Sequence, residues 1–367
     1  MFEGVYKNKR VFITGHTGFK GSWLTFWLLL LGARVKGYAL EPKTDKDHFV
    51  VMGTNSHIES VIGDVRDLDF LRKEISNFKP EIVFHLAAQA LVRESYQNPI
   101  DTYQTNIMGT VNILEAIRVC SSVKSFVNVT TDKCYENIER AEGYSETAPL
   151  GGYDPYSSSK ACSEIVTSAY RRSFFNLKEN TYVPLIATAR AGNVIGGGDW
   201  SKDRIITDAI SALMGNKPIK VRNPFAIRPW QHVLEPLSGY LLLASKVFQR
   251  GYSKYSGSWN FGPDPGKVFS VKTVVDKVVE CWGSGQWHDA SNPNDLHEAR
   301  LLQLDITKAR EELKWEPVLE IEECVSMTVD WYRYLYEQKG NMHEFSKSQI
   351  KEYCKKAKTK ILEWAEV

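Results

Sequence analysis

Short runs of β-branched and apolar residues recur through the first half of the chain, each followed by a longer stretch with helical spacing. Residues 9–14, 34–40, 60–63, 81–87, 125–130 and 184–189 are of strand length and composition. Strands alternating with helices at this rhythm predict an α/β fold, a Rossmann-type doubly wound parallel sheet. A smaller C-terminal α/β domain follows it. The glycine-rich turn near residues 192–198 marks where residue duties change. It divides the chain into a nucleotide-binding domain at 1–189 and a substrate domain at 190–367, with roughly 232–260 returning to the large sheet.

Composition narrows the class. The 367 residues are 43% hydrophobic and 25% charged, with a formal net charge of +2, so neither a nucleic-acid nor a membrane partner is implied. The longest apolar run, 23–33, is interrupted by Thr25 and is too short to span a bilayer. It follows a glycine-rich turn instead of a basic leader, and reads as a buried helix of a cytoplasmic protein. The six cysteines, at 120, 134, 162, 281, 324 and 354, form no Cys-x-x-Cys pair and have no accompanying histidine spacing. Free thiols in a reducing compartment, and no metal site, are the expectation.

The first strand runs into Gly15-His16-Thr17-Gly18-Phe19-Lys20-Gly21 and then into the apolar helix. This is the strand, turn and helix of a dinucleotide site, with the first glycine gap one residue longer than in Gly-x-Gly-x-x-Gly. Glycine permits the turn and lets backbone amides at the helix start approach a pyrophosphate. Glu41 lies about twenty residues on, the separation of a carboxylate that accepts from the adenosine ribose and disfavours a 2′-phosphate. That favours NAD over NADP, although Glu41 is equally a surface residue in a loop with Lys43 and Asp45. Asp64 and Val65, after the third strand, suit the adenine edge. Leu86, Ala87, Ala88 and Gln89, after the fourth, put small residues where a cofactor lies close, or where the core packs tightly.

Thr131, Asp132 and Lys133 stand at the end of the fifth strand, and Tyr156 and Lys160 follow four residues apart. That spacing puts Tyr and Lys on one face of a helix, where the ammonium can lower the phenol's pKa. A phenolate so held can remove an alcohol proton as hydride leaves.

These segments, together with Asn106-Ile107-Met108-Gly109-Thr110 and Arg190-Ala191-Gly192-Asn193-Val194, resemble the extended branch of the short-chain dehydrogenase/reductase superfamily. Within it, Gly15 to Trp23, Thr131-Asp132-Lys133, Gly196-Gly197-Gly198-Asp199-Trp200 and Arg228-Pro229-Trp230-Gln231-His232-Val233 are similar to the CDP-glucose 4,6-dehydratases. The loop 42–48 departs from that family's small, proline-rich sequence. The resemblance implies tightly held NAD, bound in part by Asn106, Tyr156 and Lys160, and CDP-glucose as substrate. It also implies a homodimer, with a homotetramer as the larger alternative, and a place in making deoxysugars of bacterial surface polysaccharide such as lipopolysaccharide O-antigen.

A 4,6-dehydration oxidises C4, eliminates water across C5 and C6, and reduces C6. The resemblance gives Tyr156, assisted by Lys160, the C4 hydroxyl proton, with Thr131 bonded to the same oxygen. Asp132 becomes the acid at C6. Lys133 stands where related dehydratases more often carry Glu; with a reference pKa of about 10.4 it is protonated at neutral pH. It is therefore either a base lowered by desolvation or a cation that stabilises the enolate, unless it merely pairs with Asp132. Asn193 is placed for a phosphate or sugar group, and Arg228 is the first choice for a diphosphate clamp. Arg204 and Arg300 come second, and Arg300 reads equally as a surface ion pair. Trp200 and Trp230 either stack on the ligand or belong to the core; His232 reads as structural. Two other functions stay open: another NAD-dependent nucleotide-sugar dehydratase or 4-epimerase, and a non-catalytic NAD-binding sensor or scaffold.

Overall fold

The structure is a computed structural model that describes residues 1–176, 183–249, 253–292 and 301–366. Its centre is a sheet of seven strands: β1 (Arg10–Thr14), β2 (Arg34–Ala39), β3 (Glu59–Ile62), β4 (Ile82–His85), β5 (Ser125–Val129), β6 (Leu185–Arg190) and β7 (Ser258–Asn260). They lie in the order β7-β6-β5-β4-β1-β2-β3, and every adjacent pair is parallel. The first six match the predicted strands to within two residues at each end.

Side-chain alternation explains why these runs read as continuous apolar stretches. Val11 and Ile13 of β1 face one core while Phe12 faces the other; Val127 and Val129 of β5 oppose Phe126 in the same way. Both faces are covered, as a parallel sheet requires. One cover is α2 (Leu68–Phe78) and α3 (Gly109–Arg118), which send Leu71, Ile75, Ile113 and Ile117 into the smaller core. The other includes α1 (Phe19–Leu30), buried continuously from Gly21 through Leu28. It begins four residues before the apolar run, because Gly18 takes an extended conformation and sets the helix start.

The helix that carries the Tyr and Lys, α4 (Pro155–Ser173), is started by Asp154, whose side chain accepts from Ser157 N at 2.9 Å, and by Pro155 in its first turn. Beyond β6 come α5 (Ile205–Met214), α6 (Leu234–Phe248), α7 (Val271–Trp282), α8 (Ile321–Tyr336) and α9 (Met342–Thr359). Of these, α6 lies on the large sheet, where Ser125 Oγ donates to the Ala244 carbonyl at 3.0 Å, and β7 extends that sheet beside β6. Three small two-stranded pairs build the remaining lobe: Val194–Ile195 with Gln231–His232, Ile227–Arg228 with Phe269–Ser270, and Ile219–Val221 with Trp287–Asp289. The last helix is tied to the start of the chain, with Trp364 stacked on Phe2 at 5.1 Å and Tyr353 edge-on to Trp27 at 5.8 Å. Among the described residues, no helix is long and apolar enough to cross a membrane.

Candidate active site

The strand order reverses between β1 and β4, and the turns leaving both strands open on the same crevice at their carboxyl ends. Gly15 stands at φ +79° after β1, and a Cβ there would come within 2.7 Å of the Ala87 nitrogen. The turn can therefore lie this close to the β4 loop only as glycine. Thr17 Oγ1 donates to the Leu40 carbonyl at 2.8 Å, and the His16 ring meets Ser60 Oγ at 2.7 Å through Nε2. Burial lowers the His16 pKa to about 4, so the ring is neutral. The first-turn amides of α1, from Phe19 onward, have no helical acceptors and face an anion that enters the crevice. Residues present thus fit a dinucleotide.

Other predicted cofactor residues have different settings. Glu41 is exposed at the end of the β2 loop. Asp64 grips Arg66, at 2.5 Å to Nη2, and that guanidinium holds its carboxyl below the usual range. Val65 is buried in the smaller core beneath Gly109. Leu86 and Ala87 both donate backbone N–H to Thr14 Oγ1 at 3.2 Å, and Ala88 is half-buried beside them. Gln89 turns back into its own loop, bonded to Leu91 and Thr102. Asn106 sits in a π-helical turn, Gln104–Met108, and is fully buried. Its amide clasps both backbone groups of Gln89 and donates to Ser159 Oγ of α4 at 2.8 Å. It fixes the crevice wall to the helix that carries Tyr156.

At the end of β5 the chain enters a 3₁₀ turn, Asp132–Cys134, capped by Thr131. Thr131, Asp132, Lys133 and Tyr156 all line one cavity of about 500 Å³, ample for a nucleotide-sugar-sized ligand. Thr131 Oγ1 donates to Asp132 Oδ1 at 3.0 Å, while Asp132 Oδ2 is buried and has no hydrogen-bond partner among the described residues. Room for that carboxylate exists because residue 192 is glycine; a methyl group there would overlap it. Lys133 is half-buried, and its Nζ makes no ion pair among the described residues, with Asp132 or otherwise. Burial pushes the Tyr156 phenol up to about 12, against the hydrogen bond to Thr131 and the charge of Arg204, which draw it down. Lys160 is buried one turn further on; its Nζ donates to the Val129 carbonyl at 3.2 Å, and burial lowers its pKa to about 8.

The substrate candidates divide. Asn193, at φ +48°, Arg204, Arg228 and Trp230 line the cavity. Trp230 donates its indole N–H to the Phe269 carbonyl at 3.0 Å, and Arg228 Nη1 donates to the Ile227 carbonyl at 3.0 Å. Trp200 lies off the lining. Its indole donates to the Lys46 carbonyl at 2.6 Å and its ring meets Tyr332 edge-on. Arg300 falls outside the described residues. His232 is wholly buried and neutral, as expected of a structural histidine.

Three features escaped the sequence reading. Asp199 is buried on the cavity wall and holds Arg204 Nη1 at 2.5 Å; its signal was a carboxylate closing a glycine triplet, five residues before an arginine. Lys20, expected against a cofactor, also lines this cavity, with burial and the nearby Arg204 lowering its pKa to about 7. Glu164 is buried one turn beyond Lys160, and a third polar residue at the same helical spacing was the available sign.

Comparison with known proteins identifies the lineage. The family model described as GDP-mannose 4,6 dehydratase matches residues 12–328. A CDP-glucose 4,6-dehydratase of Salmonella typhimurium is 49% identical over 352 residues, 96% of this chain and 98% of that one. Among solved structures, a dTDP-glucose 4,6-dehydratase from Streptomyces venezuelae with NAD bound superposes with a TM-score of 0.76 at 21% identity, covering 90% of this chain and 98% of that one. A UDP-glucose 4-epimerase from Thermotoga maritima reaches 0.74 at 22%, covering 89% and 99%. Fold similarity alone does not separate dehydratase from epimerase, but sequence matched across most of the length places the lineage: the chain belongs to the GDP-mannose 4,6 dehydratase family, within the extended short-chain dehydrogenase/reductases.

Proposed function

We propose that this chain is a hydro-lyase that converts CDP-D-glucose to CDP-4-dehydro-6-deoxy-D-glucose and water. The observation that carries this is the 49% identity to a CDP-glucose 4,6-dehydratase, extending over 96% of the chain. The cofactor is NAD, held by Gly15 to Gly21 at the start of α1 and by the loops that follow β2, β3 and β4. When bound, it supplies the oxidant for C4 and the reductant for C6.

The chain's own residues then divide the proton work. Tyr156 takes the proton of the C4 hydroxyl, Thr131 hydrogen-bonds the same oxygen, and Lys160 supplies the neighbouring positive charge. Asp132 delivers a proton to the departing C6 hydroxyl. Lys133, with no ion-pair partner among the described residues to hold it elsewhere, acts at C5. Arg228 and Arg204 meet the diphosphate, with Asn193 and Trp230 on the sugar-nucleotide wall. The lobe after β6 is the substrate half. An elimination pair beside Thr131 favours dehydration over epimerisation, since an epimerase needs Thr131, Tyr156 and Lys160 alone.

The same reading extends to a cytoplasmic homodimer packed through α4, whose Ile165 is 54% exposed, with a product that feeds deoxysugars of surface polysaccharide. Incubation of purified protein with CDP-, dTDP-, GDP- and UDP-glucose, followed by mass spectrometry for loss of water and chromatographic separation of the sugar epimers, tests the proposal. Loss of 18 Da from CDP-glucose in preference to the others is expected. Clean conversion to CDP-galactose, or preference for another nucleotide, overturns it.

A further inference from the structure

We propose that Glu164 is a positioning residue for the redox half of this site, keeping Lys160 charged from one helical turn away while it ties the ends of β5 and β6 together. The proposal rests on the reading of Lys160 as the cation that serves Tyr156.

Tyr156, Lys160 and Glu164 succeed one another at four-residue intervals along α4 and share one buried face. Glu164 is 2% exposed and its carboxylate is fully engaged. One oxygen accepts from Thr130 Oγ1 at 2.5 Å; the other accepts from Thr188 Oγ1 at 2.7 Å and Arg190 Nη2 at 2.8 Å. Thr130 immediately precedes Thr131, and Arg190 ends β6 two residues before Gly192. The carboxylate thus grips both strand ends between which the Asp132 carboxylate is seated. Arg190 extends the grip, donating to Tyr135 Oη at 2.7 Å, which donates in turn to Asn260 of β7 at 2.7 Å.

A fully buried carboxylate stays ionised only with strong partners. Burial pushes the Glu164 pKa up, but the Arg190 charge and the bonds from Arg190, Thr130 and Thr188 outweigh it and hold the group below its ordinary value. Glu164 is therefore a fixed negative charge at neutral pH. Lys160 is faced by the Val129 carbonyl at the end of β5, by Cys134 in the turn that follows, by His85 of β4, by Lys20 in the first turn of α1, and by Glu164 on its own helix. Cys134 is driven toward the neutral thiol by burial, and His85 toward the neutral ring. Lys20 opposes a charge on Lys160. Glu164 is the carboxylate in this set, and it works against the burial that pulls Lys160 down to about 8.

Neutralising Glu164 lets the Lys160 pKa fall further, so the ammonium is lost at a lower pH. In Glu164→Gln, the alkaline limb of the kcat profile for CDP-glucose should move down by about one pH unit while KM stays within about twofold. Glu164→Asp, which keeps the charge, should retain the wild-type limb even if its rate falls. A Glu164→Gln profile that superimposes on wild type after scaling overturns the proposal. If that variant does not fold, Glu164→Gln/Arg190→Met removes both charges and carries the same test: a downward limb supports the proposal and an unmoved one overturns it. Lys160→Ala separates the two levels. Full turnover in that variant sinks the reading of the redox pair, whereas an inactive Lys160→Ala beside an unshifted Glu164→Gln sinks this proposal alone.

Discussion

Asp132 is seated by what its neighbour lacks. Gly192, two residues past β6, is the position whose missing side chain makes room for the Asp132 carboxylate. The two residues stand just past the ends of adjacent central strands, β5 and β6, which pair as far as Val129 and Ala189. Gly192→Ala should lose about 1–3 kcal/mol of stability to overpacking and turn over CDP-glucose about 100-fold more slowly, since a displacement of about 1 Å near the reacting atoms can cost that much; thermal melting and steady-state product formation measure the two effects. At Tyr156 the outcome is blunter. Tyr156→Phe removes the proposed proton acceptor, and turnover should fall by about 10²–10⁴, with an unchanged rate contradicting the redox assignment. Much of this was legible beforehand. Thr131, Asp132, Lys133 and Tyr156 could be grouped because two of the signals are local, a strand end and a four-residue helical spacing. Asp199 and Glu164 carried only spacing signs, because their partners Arg204 and Arg190 matter only once burial removes water from around them.

At the scale of elements, α4 is the piece on which the site depends. Asp154 caps it twice, accepting from Ser157 N and from Ser157 Oγ at 2.6 Å, and Tyr156 stands in the first turn that this cap orders. Asp154→Ala should cost about 1 kcal/mol, lowering Tm by about 1–2 °C in a chain of this length. The accompanying loss in kcat should exceed what that stability change explains, and Asp154→Asn, which still accepts at the cap, should restore most of it. The strand boundaries were readable to within two residues because β-branched runs between glycines and turns leave little choice. Helix starts were less so: α1 begins at Phe19, before its apolar run, because the backbone of Gly18 decides the entry. The π-helical turn at Asn106 had no sequence sign at all, since it arises from the fit between Gln89 and α4.

For the molecule as a whole, the C-terminal segment closes the structure around a buried acid. Glu235 at the start of α6 is completely buried; it accepts from Leu319 N at 2.6 Å, Val318 N at 2.9 Å and Tyr353 Oη of α9 at 2.8 Å. Burial raises its pKa to about 7 from 4.5, against those bonds. The native state therefore holds a proton that the unfolded chain releases between about pH 4.5 and 7, and stability falls as pH rises through that window. The loss is of order 3 kcal/mol at about 1.4 kcal/mol per pH unit. Glu235→Gln should flatten this fall and be the more stable protein at pH 8, as denaturant titrations at several pH values would show. Trp364→Ala, which empties the contact with Phe2 and Tyr353, should cost about 3–5 kcal/mol and lower Tm accordingly. By itself the sequence determined the α/β class, the six strands up to Gly192 and the grouping of Thr131, Asp132, Lys133 and Tyr156, because strand and helix periodicity and short-range spacing are local properties. Tertiary structure alone decided that the returning segment supplies the large sheet's edge strand beside β6, that Asp132 needs Gly192, and that Glu164 faces Arg190. Each of those joins residues far apart in the chain, and their energies arise only when packing excludes water from between them.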